Sequence, residues 1–457
     1  MQTIEFGGTL TERHVKQHIE HRFMVEPGAT ALRISFRYAP GRVSERLNAL
    51  HLSLFDPNGF RGARHRPGQP QGDGLGHTVT IDADEATPGY LPGPIPAGEW
   101  CIVIDTHMIM PSVAVSYHIT IEVDDRPVAR QAAAAMPSGA IAVRGAGWYR
   151  GDLHGHSVHS DASLQIAELV AAARRFKLDF VTLSDHNTIS GLAEFERLAA
   201  PDVCPIAGQE LTTYWGHALA LGLRDWVDWR VRSGVRSMPD IAREVEAAGG
   251  LFVIAHPMSV GDPVCTGCDW RYRDMMPGPA PCVEIWNGGR WSGESNNEHA
   301  LALWYAWLNA GHRLVGTAGT DVHGVPPNDI SPGFNHVYAE ACSAAAILQA
   351  VRQGHLFVSD GPHLELQATG SDGTQVMMGD TLACASGALR ASWQHDGSEA
   401  TIYLIGNGQK LLSEPADRAG ECVWAIQPDQ ARWYTVELRD HQGRLRAVTN
   451  PIWLRSN

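Results

Sequence analysis

Histidines and carboxylates recur at the ends of short apolar runs in the middle of this 457-residue chain, and those residue types in that arrangement hold divalent metals. The first run ends in Asp152-Leu153-His154-Gly155-His156, whose period-two spacing turns both imidazoles to one face, about 6–7 Å apart. Ser160-Asp161 follows in the next loop. A second run ends in Ser184-Asp185-His186-Asn187, a third in Gly208-Gln209-Glu210, and Gly216-His217 opens the next apolar stretch. Leu251–Ala255 leads into His256-Pro257, Cys282-Val283 into Glu284, and Val315–Gly319 into Thr320-Asp321-Val322-His323. A lone histidine at a strand end is usually a hydrogen-bonded structural residue. Seven strand-end or loop positions in succession, each offering His, Asp or Glu, point instead to one composite site. His154, His156, Asp161, His186, Glu210, His217, His256, Asp321 and His323 make nine ligands without a thiolate, a set that suits Zn²⁺, Mn²⁺ or Fe²⁺. With one bridging carboxylate they supply about ten bonds, enough for two or three ions at roughly three to four bonds each.

The elements that must position these residues follow from the hydropathy rhythm. Residues 1–123 alternate apolar and polar, as in Leu50-His51-Leu52-Ser53-Leu54, between Gly/Pro-rich turns, and predict an N-terminal β-sandwich. An Ala/Pro/Gly-rich linker is expected over 124–147. Over 148–362 short apolar strands alternate with helical stretches, which predicts an α/β unit, a barrel with its site at the C-terminal ends of the strands. From 363 to 457 the β pattern returns as a small C-terminal β domain.

The ordered set H-x-H, S-D, S-D-H-N, G-Q-E, G-H, A-H-P, E-I-W-N and T-D-V-H resembles the polymerase and histidinol phosphatase (PHP) superfamily over residues 148–362, and within it the CehA/McbA-like branch named for carbaryl hydrolases. The resemblance implies a distorted (β/α)7 barrel with a di- or trinuclear metal centre. It assigns His154, His156, Glu210 and Asp321 to one ion, Glu210 as a bridge to a second ion with His217 and His256, and Asp161, His186 and His323 to a third. Two positions depart from the pattern: Ala162 stands where Gly is usual, and Thr320 where Ser is commoner. Glu210, Asp321 and His323 are expected beside the reacting atoms. Asp185 is expected to orient His186 or cap the next helix, with Asn187 beside it. Glu284 either meets a metal-bound water or is a buried structural carboxylate. Trp286, Asn287 and Arg290, together with Trp215 and Trp291, are candidates for a substrate wall or for loop packing. His159 matches a variable position and is expected to be exposed.

These ligands suit hydrolysis by a metal-activated hydroxide, and the stretch carries neither a G-x-S-x-G elbow nor a Walker-type loop to compete. The expected substrate is a small phosphate mono- or diester; the alternative is carboxyl-ester, amide or carbamate hydrolysis. Arg271, Arg273 and Arg290 favour phosphate, whereas Trp215, Trp270, Trp286 and Trp291 would equally suit an aryl ester or carbamate. A non-catalytic metal-binding accessory module would require missing ligands and a basic surface, yet the net charge is −14. That charge also disfavours nucleic acid as a partner. No apolar run reaches the roughly 18 residues of a membrane span, and Met1–Arg22 shows no hydrophobic signal core. The eight dispersed cysteines are expected to be reduced thiols in a cytoplasmic protein, with Cys265-Thr266-Gly267-Cys268 a glycine-containing turn. The sandwich is a candidate for sugar binding or homo-oligomerisation.

Overall fold

A computed structural model describes residues 2–66, 68–126, 144–199, 202–288, 296–326, 332–384, 386–427 and 429–455. The alternation in the N-terminal part builds two sheets. One orders the strands Gln2–Leu10, Val115–Asp124, Ala31–Ala39, Gly74–Asp82 and Gln69–Gln71; the other orders His18–Val25, Gly98–Met108, Ala49–Asp56 and Gly59–Arg64. Leu32, Ile34 and Phe36 of the first sheet share a core with Leu52, Leu54, Trp100 and Ile102 of the second. The intervening positions of the second sheet are polar, and His51, Ser53, Asp105 and His107 are nevertheless buried. They are buried because this face packs against the middle of the chain. The Tyr214 hydroxyl donates to Gln17 O at 2.8 Å, Thr266 Oγ1 donates to His107 O at 3.2 Å, and Phe60 stacks on Trp226 at 4.2 Å. Most of the expected linker, residues 127–143, lies outside the described residues.

The middle of the chain forms β1 (Gly147–Asp152), α1 (Ile166–Arg175), β2 (Phe180–Leu183), α2 (Leu192–Ala199), β3 (Cys204–Thr212), β4 (His217–Leu221), α3 (Met238–Ala247), β5 (Leu251–Ile254), β6 (Cys282–Asn287), α4 (Asn297–Asn309), β7 (Val315–Gly319), β8 (Phe334–Ala339), α5 (Ala344–Gln353) and β9 (Leu356–Ser359). Strands β1 to β7 lie side by side in sequence order and run parallel, except β4, which is antiparallel to both neighbours. All four residues of β5 are apolar and buried, as a strand covered on both faces requires. Helix α3 shows how the covering layer is specified: Ser237 caps it by accepting from Asp240 N, and Met238, Ile241, Ala242 and Val245 bury one stripe. Helices follow β1, β2, β4, β6 and β8 but not β3, β5 or β7, so strand–helix alternation is incomplete. The antiparallel β3–β4 pair needs only the short turn 213–216, where parallel neighbours need a crossover.

The sheet curls until the end of β7 meets the end of β1. Gly155 and Val322 form a parallel bridge, Asp321 N donates to His154 O at 3.0 Å, and Thr320 N donates to the Asp152 carboxylate at 3.0 Å. Beyond β8 and β9 the same sheet runs on into the C-terminal residues without a break at 362. There β9 pairs with Leu445–Thr449, which pairs with Trp433–Asp440, and that with Ala400–Gly406. Among the described residues no helix is long and apolar enough to cross a membrane.

Asn450, 1 % exposed, fastens this junction. It accepts from Gly316 N at 2.8 Å and donates to Gly316 O at 2.9 Å and to Leu356 O at 3.1 Å. Asn450→Ala removes the side-chain partners of Gly316 N and O in β7, while Leu356 O of β9 keeps the Asn450 backbone N–H. It is expected to destabilise the protein by about 2–4 kcal/mol, read as a shift in the urea midpoint; an unchanged midpoint would refute the role of this side chain.

Candidate metal centre

The seven ligand-bearing segments converge at one end of the curled sheet. Glu210, at the end of β3 and fully buried, is the hub. Its Oε2 lies 3.2 Å from His154 Nε2, 3.2 Å from His156 Nε2 and 2.9 Å from His186 Nδ1; its Oε1 lies 3.0 Å from His217 Nδ1 and 3.1 Å from His256 Nε2. Asp321 Oδ1 stands 2.9 Å from His156 Nε2 and 3.4 Å from His154 Nε2. Asp161 Oδ1 is 3.1 Å from His323 Nε2 and 3.4 Å from His186 Nε2. All nine expected ligands therefore meet. Within the set, His154, His156, Glu210 and Asp321 form one group of converging ligand atoms, His156, Asp161, His186 and His323 a second, and His186, Glu210 and His217 a third.

The outer nitrogens of four imidazoles are fixed by acceptors, which leaves the inner lone pairs facing the cluster. His154 Nδ1 donates to Glu284 Oε1 at 2.9 Å, His256 Nδ1 to Cys268 O at 3.1 Å, His217 Nε2 to Thr266 O at 3.1 Å and His323 Nδ1 to Asp321 O at 2.7 Å. Glu284 thus meets a ligand directly, and its other oxygen accepts from His256 N at 3.0 Å. Asn287 Nδ2 bridges Glu284 Oε2 and Asp321 Oδ2 at 3.3 and 3.4 Å.

Several expectations need correction. Asp185 neither orients His186 nor caps a helix: it accepts from Ser157 N at 2.8 Å, Ser157 Oγ at 2.6 Å and Ser160 Oγ at 2.6 Å, fastening the turn that carries Asp161. Asn187, with φ 57°, straps the end of β2 to β3 through Thr212 N and O. Trp286 is fully buried in the core and is no substrate wall: period two alone would set it on the face that bears Glu284, but a bulge between the two residues breaks the alternation. Trp270 is also buried, its indole donating to Met275 O at 2.9 Å. Arg271 is paired with Asp269 at 2.6 Å. Arg290 and Trp291 lie outside the described residues. His159 is not exposed: it is half-buried, with Nδ1 2.8 Å from Ser190 Oγ, where the sandwich loop at Gly89 reaches the middle of the chain. The expectation of reduced thiols fails at one pair. Cys265 and Cys268 are disulfide-bonded, since their four-residue turn brings the Cα atoms to 5.5 Å.

Sequence reasoning missed a second group. His51, His65 and His107 of the sandwich bring one ring nitrogen each within 4.8 Å of one another, and His65 lies 4.8 Å, ring to ring, from His186. With Asp161, Arg42 and Arg46 they line a cavity of about 280 Å³. Only the alternation of polar residues in two strands hinted at this face, and that pattern reads equally as a solvated one.

Charge in the cluster is arranged to attract cations. Burial works against the imidazolium of His154, yet Glu284, Asp321 and Glu210 together raise its pKa well above the ordinary value. Burial also opposes the charge on Glu210, and His186, His154 and His217 outweigh it, holding the carboxyl well below the usual range. Asp161 and Asp321 are held low in the same way, against burial, by neighbouring imidazoles. His323 is raised to about 9 despite burial by Asp161 and Asp321. Three carboxylate oxygens, Glu210 Oε2, Asp161 Oδ1 and Asp321 Oδ1, are buried without a hydrogen-bond donor. Buried anionic oxygens left in this way, among imidazole lone pairs, fit divalent cations.

No family model matches the chain. An uncharacterized protein of Methanocaldococcus jannaschii is 30% identical over 116 residues, 25% of this chain and 49% of its own length. A second uncharacterized protein of that organism is 26% identical over 161 residues, 32% of this chain and 87% of its own length. The chain thus spans about half the length of the first relative. Among solved structures, a two-domain protein from Bacteroides vulgatus containing a predicted PHP-like metal-dependent phosphoesterase aligns with TM-score 0.41 and 16% identity, covering 70% of this chain and 100% of that one. An amidohydrolase from Chromobacterium violaceum, with bound sulfate and no metal, aligns with TM-score 0.30 and 18% identity over 39% of this chain and 89% of its own.

Glu284→Gln keeps the shape but replaces the acceptor that fixes the His154 ring. Affinity for Zn²⁺ or Mn²⁺, measured by competition with a chromophoric chelator, is expected to fall about 10–100-fold with the fold intact. Undiminished affinity would show that the Glu284–His154 bond does not tune the site.

Proposed function

We propose that this protein is a metal-dependent hydrolase of the PHP type, built on a distorted (β/α)7 barrel and acting on small phosphate mono- or diesters. The observation that carries the reading is the convergence of nine His, Asp and Glu side chains on Glu210, with four imidazoles locked from outside and three carboxylate oxygens unpaired. Two or three divalent ions of the Zn, Mn or Fe class fit this donor set. His154, His156, Glu210 and Asp321 would hold one, Glu210 with His217 and His256 a second, and Asp161, His186 and His323 a third. Such ions supply Lewis acidity, bringing water towards a neutral pKa and polarising the substrate's oxygen.

The chain's own residues do the rest. Glu284 and the carbonyls of Thr266 and Cys268 keep protons on the outer histidine nitrogens, so the inner ones remain ligands. Asp185 holds the Asp161 turn, and the polar face of the sandwich closes over the cluster and restricts water. Arg42 and Arg46 at the cavity supply cationic forks suited to phosphate oxygens. With Trp286 and Trp270 buried in packing, the feature that favoured an aryl carbamate or ester of the CehA/McbA type is weakened.

The test is a panel of p-nitrophenyl phosphate, bis(p-nitrophenyl) phosphate, p-nitrophenyl acetate and a naphthyl carbamate with metal-loaded protein. Phosphoesters are expected to give the highest kcat/KM. Glu210→Gln is expected to lower both metal content and rate, the rate by roughly two orders of magnitude or more. Dominant carbamate or acetate turnover would transfer the assignment to the carbaryl-hydrolase type. Full metal content and rate in Glu210→Gln would sink the metal-centre reading.

A further inference from the structure

We infer that the N-terminal sandwich carries a metal site of its own, in which His51, His65 and His107 hold one divalent transition-metal ion beside the barrel cluster. This inference goes beyond the proposed activity and does not rest on it, since none of the three residues belongs to the barrel.

The three rings form a tight triangle, with centroids 4.0 Å apart for His51 and His65 and 4.6 Å for each of the other two pairs. His51 and His107 come from the strands Ala49–Asp56 and Gly98–Met108 of one sheet, on the face opposite the sandwich core, and His65 directly follows the edge strand Gly59–Arg64 of that sheet. His51 is 5 % exposed and His107 1 %. His51 Nδ1, His65 Nδ1 and both nitrogens of His107 are buried with no hydrogen-bond partner. A buried polar atom without a partner forfeits its hydration with nothing in return. Native interiors leave few such atoms unpaired, and here four of them cluster in one spot.

The donor set defines the ligand class. Three imidazoles without a carboxylate suit Zn²⁺ or a similar transition ion rather than Mg²⁺ or Ca²⁺. Three protein ligands leave a position open, the pattern of sites that bind a further small ligand rather than of closed structural ones. That position would face the cavity of about 280 Å³ that the triad shares with Asp161, Arg42 and Arg46. The fourth ligand that fits is an anionic oxygen, such as one from a phosphate or carboxylate, entering past the two arginines.

Stoichiometry tests this directly on the full chain, stripped with a chelator and titrated with Zn²⁺ and Co²⁺. His51→Gln and His107→Gln are each expected to bind one equivalent fewer than the unmodified protein and to lose the visible absorption of one Co²⁺ ion. Glu210→Gln is expected to retain that ion. Circular dichroism and thermal melting identify any variant that fails to fold, and the two histidine variants serve as independent checks. Unchanged stoichiometry in a folded His51→Gln or His107→Gln would overturn the inference, whatever the barrel binds. Binding of inorganic phosphate abolished by His107→Gln, without loss of a metal equivalent, would also overturn it and assign the triad to an anion. If the barrel holds no metal while the sandwich site is real, the unmodified protein binds a single equivalent, which His107→Gln removes.

Discussion

Removing a carboxylate from water as completely as Glu210 is removed costs several kcal/mol unless positive charge or strong donors replace the lost hydration. The middle of the fold is organised around meeting that cost. Five imidazoles surround the one carboxylate, and they come from the ends of β1, β2 and β5 and the start of β4. Each must approach from its own direction, so the strands have to curl, and the curl has to close where Thr320 and Asp321 meet Asp152 and His154. The imidazoles need support in turn. Glu284, the Thr266 and Cys268 carbonyls and the backbone of Asp321 provide it, and the disulfide between Cys265 and Cys268 ties together the turn that offers two of those carbonyls.

What could be read from the sequence was what local spacing encodes. A strand that ends in H-x-H or D-H-N carries its ligands with it, so His154, His156 and His186 were legible without knowing how the strands associate. Glu284 and Trp286 have the same parity, so alternation alone assigns both to the face of the cluster; the bulge between them turns Trp286 into the core, and spacing does not encode a bulge. The roles of Asp185 and His159 depend on which loop lies across from them, and sequence spacing does not encode that partner. The disulfide was judged by cysteine abundance, whereas a four-residue turn decided it.

The sandwich is the larger gap. An apolar–polar alternation ordinarily describes a sheet with one wet face. Here both faces are dry, and the polar one carries buried His51, Asp105 and His107, with His107 against Tyr214 and Trp229 of the middle of the chain. A sheet of this kind is indistinguishable in sequence from a solvated one, because the difference lies in what covers it. Arg42 and Arg46, on the short hairpin at 42–47, reach the same cavity for the same reason.

The pairing of β9 with Leu445–Thr449, fastened by Asn450, bears on how the protein is made. On the ribosome, the strands that bear the ligands emerge well before the segment that completes their sheet. Until it arrives, Phe357–Ser359 presents a bare, apolar edge, the kind of surface on which nascent chains associate wrongly. Pairings this distant along the chain also form slowly. Completion of this sheet therefore waits on a segment far downstream of β9, and the interval before it is when the open edge is most exposed to wrong association.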